Sequence, residues 1–227
     1  SLSLYMGGEL LAQPTPCLKC NIMVDKNAYH CLSCTKGGLV IKRHDYIRNI
    51  LRQYCSKAGY TTTIEQKYSD KFGGNKRPGD ICLLNFNGGP LYLDISVINV
   101  YNKSYVSLAL KKGSKALQQK VREKIKKYKL VYDEIKQDNN NNSNNINIIP
   151  SYGDEYSSEM MDKIKKQGGN EVVPCIFDVN GAYNIEFKLL MQHLASRIST
   201  RKQIPYSIII NRMRTHLISS LYKYNTL

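Results

Sequence analysis

The sequence predicts an α/β fold in which a mixed central sheet is flanked by helices and preceded by a small zinc-binding module. Three observations predict it. Thiols and an imidazole crowd into residues 14–35 as Cys17-x-x-Cys20 and His30-Cys31-x-x-Cys34. Two short apolar runs, 81–86 and 91–97, flank Asn87-Gly88-Gly89-Pro90, a turn signal that folds neighbouring strands back on each other. Segments with apolar residues every three or four positions lie on either side of that hairpin, and a further β-branched run follows at 171–177.

With 227 residues the chain is long enough to bury a core. Its 33 Lys and Arg outnumber 18 Asp and Glu, for a net charge of +15, a balance that favours a polyanionic partner over a small acidic substrate. Nucleic acid is the first such partner and an anionic membrane surface the second. No run approaches the roughly 18 apolar residues of a membrane span. The apolar opening, residues 1–12, is broken by Gly7-Gly8 and lacks the basic leader of a signal peptide. A first residue of Ser1 instead of Met is what a piece of a longer polypeptide would show. The 7 cysteines are clustered and odd in number, which argues against a secreted disulfide framework and for a reducing, intracellular compartment.

The cysteine-rich stretch defines residues 1–40 as an N-terminal segment carrying the zinc module. Two tetrahedral ligand sets are open from spacing alone: Cys17, Cys20, Cys31 and Cys34, or Cys17, Cys20, His30 and Cys34. A module with no core of its own uses such a site to fold.

Residues 41–227 form the main domain. Its first helix is expected over 42–58, with Ile47, Ile50, Leu51, Tyr54 and Ala58 at helical spacing and Gly59 as the C′ residue. Arg43, His44, Arg48 and Arg52 fall toward its outer side, where they either touch phosphates or make a solvated basic face. A strand carrying Ile64 and Glu65 is expected over 60–68. Arg77-Pro78 then stiffens the approach to Asp80. In the second hairpin strand Leu91, Leu93, Ile95 and Val97 share one face, and Tyr92, Asp94 and Ser96 the other. A carboxylate in such a strand is costly to bury unless something pairs with it. The hairpin brings Asp80 and Asp94 into one neighbourhood, a hard, oxygen-rich site of the kind Mg²⁺ prefers.

A long basic helix is expected over 114–136, with Leu117, Val121, Ile125, Tyr128, Tyr132 and Ile135 as its apolar stripe. Between Lys103 and Lys136 there are eleven Lys or Arg and three Asp or Glu, the densest positive region of the chain. Lys124 flanks the stripe, three residues after Val121 and four before Tyr128; Lys126 and Lys127 point further away. The Asn-rich tract at about 138–170 is an insertion in this domain and not a boundary. After the strand at 171–177, helices over 184–198 and 205–224 complete the chain. Arg43, His44, Arg77, Lys112 and Lys115 are the candidate phosphate contacts.

The order Glu65, Asp80, Asp94-x-Ser96 resembles the PD-(D/E)XK nuclease superfamily, with Ser96 standing where that pattern has a lysine. The zinc module, Arg43-His44, Arg77-Pro78-Gly79-Asp80, residues 93–97, Lys124-x-x-Lys127-Tyr128 and Val173-Pro174 follow one another in order. Together they look like the restriction-like endonuclease region of non-LTR retrotransposons. The resemblance runs from Cys17 to Tyr224, the insertion excepted. It implies a restriction-endonuclease-like core and a nuclear site of action. It also implies that His30 completes the zinc site, with Cys31 as the alternative. Mg²⁺ or Mn²⁺ would be held by Asp80 and Asp94, with Glu65 as a further ligand. The catalytic lysine would have moved to the helix, as Lys124 or, second, Lys127, with Tyr128 one turn on. The implied activity is nicking of target DNA to leave a 3′-hydroxyl that primes reverse transcription. The implied partners are DNA, element RNA and an attached reverse-transcriptase polypeptide, with no membrane. The alternative is a nuclease fold without activity that binds DNA or RNA within a larger complex.

Overall fold

The side-chain alternation along residues 91–97 decides how the layers stack. In the computed structural model the described residues are 8–64, 79–86, 89–139 and 171–224, with side chains described for all but 89, 129–139 and 171. The order is β1 (Thr15–Pro16), β2 (Met23–Val24), a 3-10 turn (Tyr29–Leu32), α1 (Leu39–Lys57) and β3 (Thr62–Ile64). The hairpin β4 (Ile81–Phe86) and β5 (Gly89–Ile98) follows, then α2 (Lys103–Lys111), α3 (Gly113–Asn139), β6 (Glu171–Asp178), α4 (Ile185–Lys202) and α5 (Tyr206–Lys223). Leu91, Leu93 and Ile95 face a core shared with Ile47 and Leu51 of α1, Leu190 and Leu194 of α4, and Met213 and Leu217 of α5. On the opposite face, Ile98 and Ile176 pack against Leu117, Val121 and Ile125 of α3, while Tyr92 joins Cys82, Val172 and Tyr128. Each such aliphatic side chain, fully buried, contributes about 1.5–3 kcal/mol. The result is a sheet between two helical layers.

The sheet has the order β3-β4-β5-β6. Its central strand, β5, pairs antiparallel with β4 and parallel with β6. Parallel neighbours need a long crossover, and here α2 and α3 lie in it. β6 is an edge strand, which accommodates Pro174 and its missing N–H. Asn184, the residue before α4, takes the place of a further strand. Its Nδ2 donates to the Pro174 carbonyl at 2.8 Å, and its Oδ1 accepts from the Ile176 N–H at 2.8 Å.

Most elements fall where their patterns put them, with instructive differences. α1 begins at Leu39, before 42, because Gly38 at φ 72 starts it, so the 40/41 boundary lies inside its first turn. Gly59 is the C′ residue at φ 93, its N–H bonding the Ser56 carbonyl while that of Tyr60 bonds Cys55. Helix α2 has no fully buried residue; it sets Tyr105, Leu108 and Ala109 half-buried against the layer formed by α3, a short stripe within nine residues. α3 extends through residues 138 and 139 of the expected insertion; 140–170 lie outside the described residues. So do Arg77 and residues 65–68, Glu65 among them, of the strand expected over 60–68; within its described part Thr62–Ile64 form β3. Among the described residues no helix is long and apolar enough to cross a membrane.

The N-terminal module is tied to this body by side chains. Arg43 was expected on the outer face of α1 as a phosphate contact; it is 2% exposed, and its Nη2 donates to the Leu32 carbonyl at 3.1 Å. A guanidinium buried this way closes the end of the 3-10 turn, because that carbonyl has no partner within so short a helix. Asn99, just past β5, donates through Nδ2 to the Tyr29 carbonyl at 2.9 Å, and Tyr29 stacks on Tyr101 at 3.9 Å between ring centroids.

Candidate functional site

The β4–β5 register assembles the site. Ile81 pairs with Leu93, so one step further along the antiparallel ladder Asp80 stands opposite Asp94. The Asp80 N–H donates to the Leu93 carbonyl at 2.8 Å, and its Oδ2 accepts the Ile95 N–H at 2.6 Å. This close approach needs Gly79: a Cβ there would lie 2.9 Å from the Leu93 oxygen. Gly79 thus lets one carboxylate press onto the backbone beside the other.

Asp94 is 5% exposed and is met from helix α3. Tyr128 donates its hydroxyl to Oδ1. The Lys124 Nζ lies 2.8 Å from Oδ2 at an angle outside hydrogen-bond geometry, so Oδ2 is buried without a hydrogen bond but not without a counter-charge. Lys124 and Tyr128 are one turn apart and so address the same point. The sequence places Lys124 beside the buried stripe, and there it is. Lys127 is exposed at the rim, its Nζ 5.4 Å from the centroid of the Tyr128 ring. Ser96, two residues after Asp94, also lines the site; the cation comes from the helix instead.

His44 was expected among the phosphate contacts and instead faces Asp80. Its Nε2 lies 3.2 Å from Asp80 Oδ2 and its Nδ1 3.4 Å from Asp45 Oδ1. The bond to Asp80, against the opposing effect of burial, raises the imidazole above its ordinary 6.5. Burial pushes the Asp80 carboxyl up, yet the His44 bond and charge, the Ile95 N–H and the Lys124 charge outweigh it and hold it below 3.8. A signal for this placement exists in the sequence: His44 is four residues after Val40 and three before Ile47, on the edge of the buried stripe. Together His44, Asp80, Asp94, Lys120, Lys124 and Lys127 line a cleft of 460 Å³. The carboxylates of Asp80 and Asp94 lie at its floor and the amine of Lys127 at its rim.

In the N-terminal module the β1–β2 pair and the 3-10 turn bring Cys17, Cys20, His30 and Cys34 together, one ligand atom of each lying within 4.8 Å of the others. The Sγ atoms of Cys17 and Cys34 are 3.9 Å apart, close to the roughly 3.8 Å that two thiolates span on a tetrahedral Zn²⁺. The Cys20 Sγ is 3.0 Å from His30 Nε2. Backbone N–H groups of Lys19 and then Cys20 pull the Cys17 thiol down to about 6, toward the thiolate a metal requires. Of the two ligand sets that spacing left open, the structure gathers the one with His30. Cys31 is outside the group, its thiol pushed up by burial. Among the described residues the quartet is the only group of three or more Cys, His, Asp or Glu ligand atoms this close.

Lys112 and Lys115 are exposed at the junction of α2 and α3. No family model matches the chain, and no curated protein matches it.

Proposed function

We propose that this protein is a metal-dependent DNA endonuclease of the PD-(D/E)XK type, similar to the restriction-like nuclease region of non-LTR retrotransposons. The observation that carries the reading is the meeting of Asp80, Asp94 and Lys124 in one cleft, with the lysine 2.8 Å from the buried carboxylate. Carboxylates and a lysine supplied by adjacent strands and a covering helix are the parts this chemistry needs, and the surrounding charge of +15 suits a polyanionic substrate.

Asp80 and Asp94 would hold Mg²⁺ or Mn²⁺, which supplies acidity to a bound water and charge compensation at the phosphate. Lys124, fixed by Asp94, orients the attacking water and contacts the scissile phosphate. Tyr128 keeps the Asp94 carboxylate in place by occupying Oδ1. Water oxygen bonds to phosphorus as the bond from phosphorus to the 3′-oxygen breaks, and the departing oxygen takes a proton. The resulting 3′-hydroxyl would prime reverse transcription by a polymerase in the same polypeptide, with element RNA as template. Lys112 and Lys115 would bind phosphates outside the cleft.

The experiment is nicking of supercoiled plasmid with Mg²⁺. Asp80→Ala and Asp94→Ala should each abolish nicking; if either cleaves as well as the parent, the assignment fails. A second reading is favoured by one observation. Lys124 neutralises Asp94 while Ser96 occupies the usual lysine position, as in a nuclease fold retained only to bind DNA or RNA. Plasmid binding with no metal-dependent nicking by the parent protein selects that reading.

A further inference from the structure

His44 is the residue of the cleft whose role the nuclease reading leaves open. Both of its ring nitrogens face carboxylate oxygens: Nδ1 faces Asp45 at 3.4 Å and Nε2 faces Asp80 at 3.2 Å. A neutral imidazole has one N–H for these two acceptors. With no cation in the cleft an N–H on Nε2 donates to Asp80; with the ring proton on Nδ1 donating to Asp45, the Nε2 lone pair is open to a cation shared with Asp80 Oδ2. Metal-bound histidines have this same outer arrangement, in which the nitrogen away from the metal donates to a carboxylate and so fixes the tautomer. The separation fits as well. Two adjacent ligands of an ion bound at about 2.1–2.2 Å stand about 3 Å apart. Helix α1 is held in place for this task by Arg43, buried against the Leu32 carbonyl, and by the Arg48 Nη1 contact with Asp45 Oδ1 at 3.2 Å.

We infer that His44 is a ligand of the catalytic cation through Nε2, forming with Asp80 a mixed nitrogen and oxygen site that Asp45 orients. The inference rests on the nuclease reading and deepens it. Asp94, whose two oxygens are met by Tyr128 and Lys124, lines the same cleft but lies outside this pair. The consequence is a preference in metal. Imidazole suits transition ions, whereas Mg²⁺ favours oxygen donors alone. The site should therefore prefer Mn²⁺ over Mg²⁺ more strongly than a carboxylate-only site does.

The test is Mn²⁺ binding to the zinc-loaded chain, followed by the electron paramagnetic resonance signal of the free ion, with zinc content and circular dichroism as controls for folding. His44→Ala should weaken Mn²⁺ binding by at least about 10-fold. His44→Asp should restore binding and shift the competition between the two ions toward Mg²⁺. Unchanged Mn²⁺ affinity in His44→Ala, together with loss in Asp80→Ala, overturns the histidine ligand and leaves the nuclease site standing. Failure of the parent to bind Mn²⁺, or indifference to Asp80→Ala and Asp94→Ala, overturns the nuclease site and the inference with it.

Discussion

Lys124 on helix α3 and Asp94 on the central strand form an ion pair, 2.8 Å from Nζ to Oδ2, with the two side chains 17% and 7% exposed. The pair joins a helix to a sheet through a crossover that no local pattern encodes. Removal of the lysine leaves a buried carboxylate held by Tyr128 alone. Lys124→Ala should therefore cost about 3 kcal/mol of stability in metal-free buffer. Adding Asp94→Asn should recover most of it. Urea unfolding of the two single variants and the double variant measures the coupling.

The two lysines separated by one turn of α3 have different surroundings, and so different expected roles. Lys124→Ala should lower nicking at least about 100-fold, the scale of a lost group acting on the attacking water. Lys127→Ala should change it by no more than a few-fold, because that side chain is at the exposed rim. Rates of conversion of supercoiled to open-circular plasmid separate the two.

The His44–Asp80 contact gives metal-free protein a pH signature. The His44 value is raised above 6.5, so its contribution is full below 6.5 and is lost as pH rises through the folded value. The Asp80 value is lowered below 3.8, so its contribution is full above 3.8 and is lost as pH falls through the folded value. The stability difference between the parent and His44→Ala should be largest between these limits and shrink on the alkaline side. Denaturant midpoints in buffer without added Mg²⁺ or Mn²⁺ and without chelator, with zinc content checked at each pH, report it.

Zinc content distinguishes the ligands one by one. His30→Ala and Cys34→Ser should lose the metal, whereas Cys31→Ser should retain one zinc per chain, measured with a colorimetric chelator after thiol modification. Loss of zinc should also loosen the Arg43 and Asn99 ties to the 3-10 turn, because a module of this size has little core to keep its shape.

Lys112→Ala and Lys115→Ala should weaken DNA binding about equally on all sequences and each reduce the slope of log K against log salt by about 1. Fluorescence anisotropy over a salt series checks this.

Local chemistry made much of this legible in the sequence. The glycine turn and alternating apolar residues place the hairpin, and its register then places Asp80 beside Asp94. The apolar steps Leu117, Val121, Ile125 and Tyr128 fix which face of α3 is buried and so which lysine lies next to it. Less legible were features decided by distant partners. Arg43 looks like any exposed cation until a carbonyl of the zinc module lies over it. His44 looks like its neighbour until the hairpin brings Asp80 to it. Helix α2 has only nine residues, and its half-buried stripe of Tyr105, Leu108 and Ala109 is too short to stand out in a sequence window. The parallel pairing of β5 with β6 joins segments on either side of the Asn-rich tract, a relation no short window contains.

Arg43 and His44 are consecutive residues, one gripping the zinc module and the other facing the cleft. With the Asn99 tie just past β5, the module is fastened to two elements that carry the cleft's own side chains. Under the nuclease reading, a substrate long enough to touch both the module and the cleft would meet them at a set distance and angle. The offset between grip and cut would be a ruler built into one turn of α1, and lengthening that turn by a residue would move the cut.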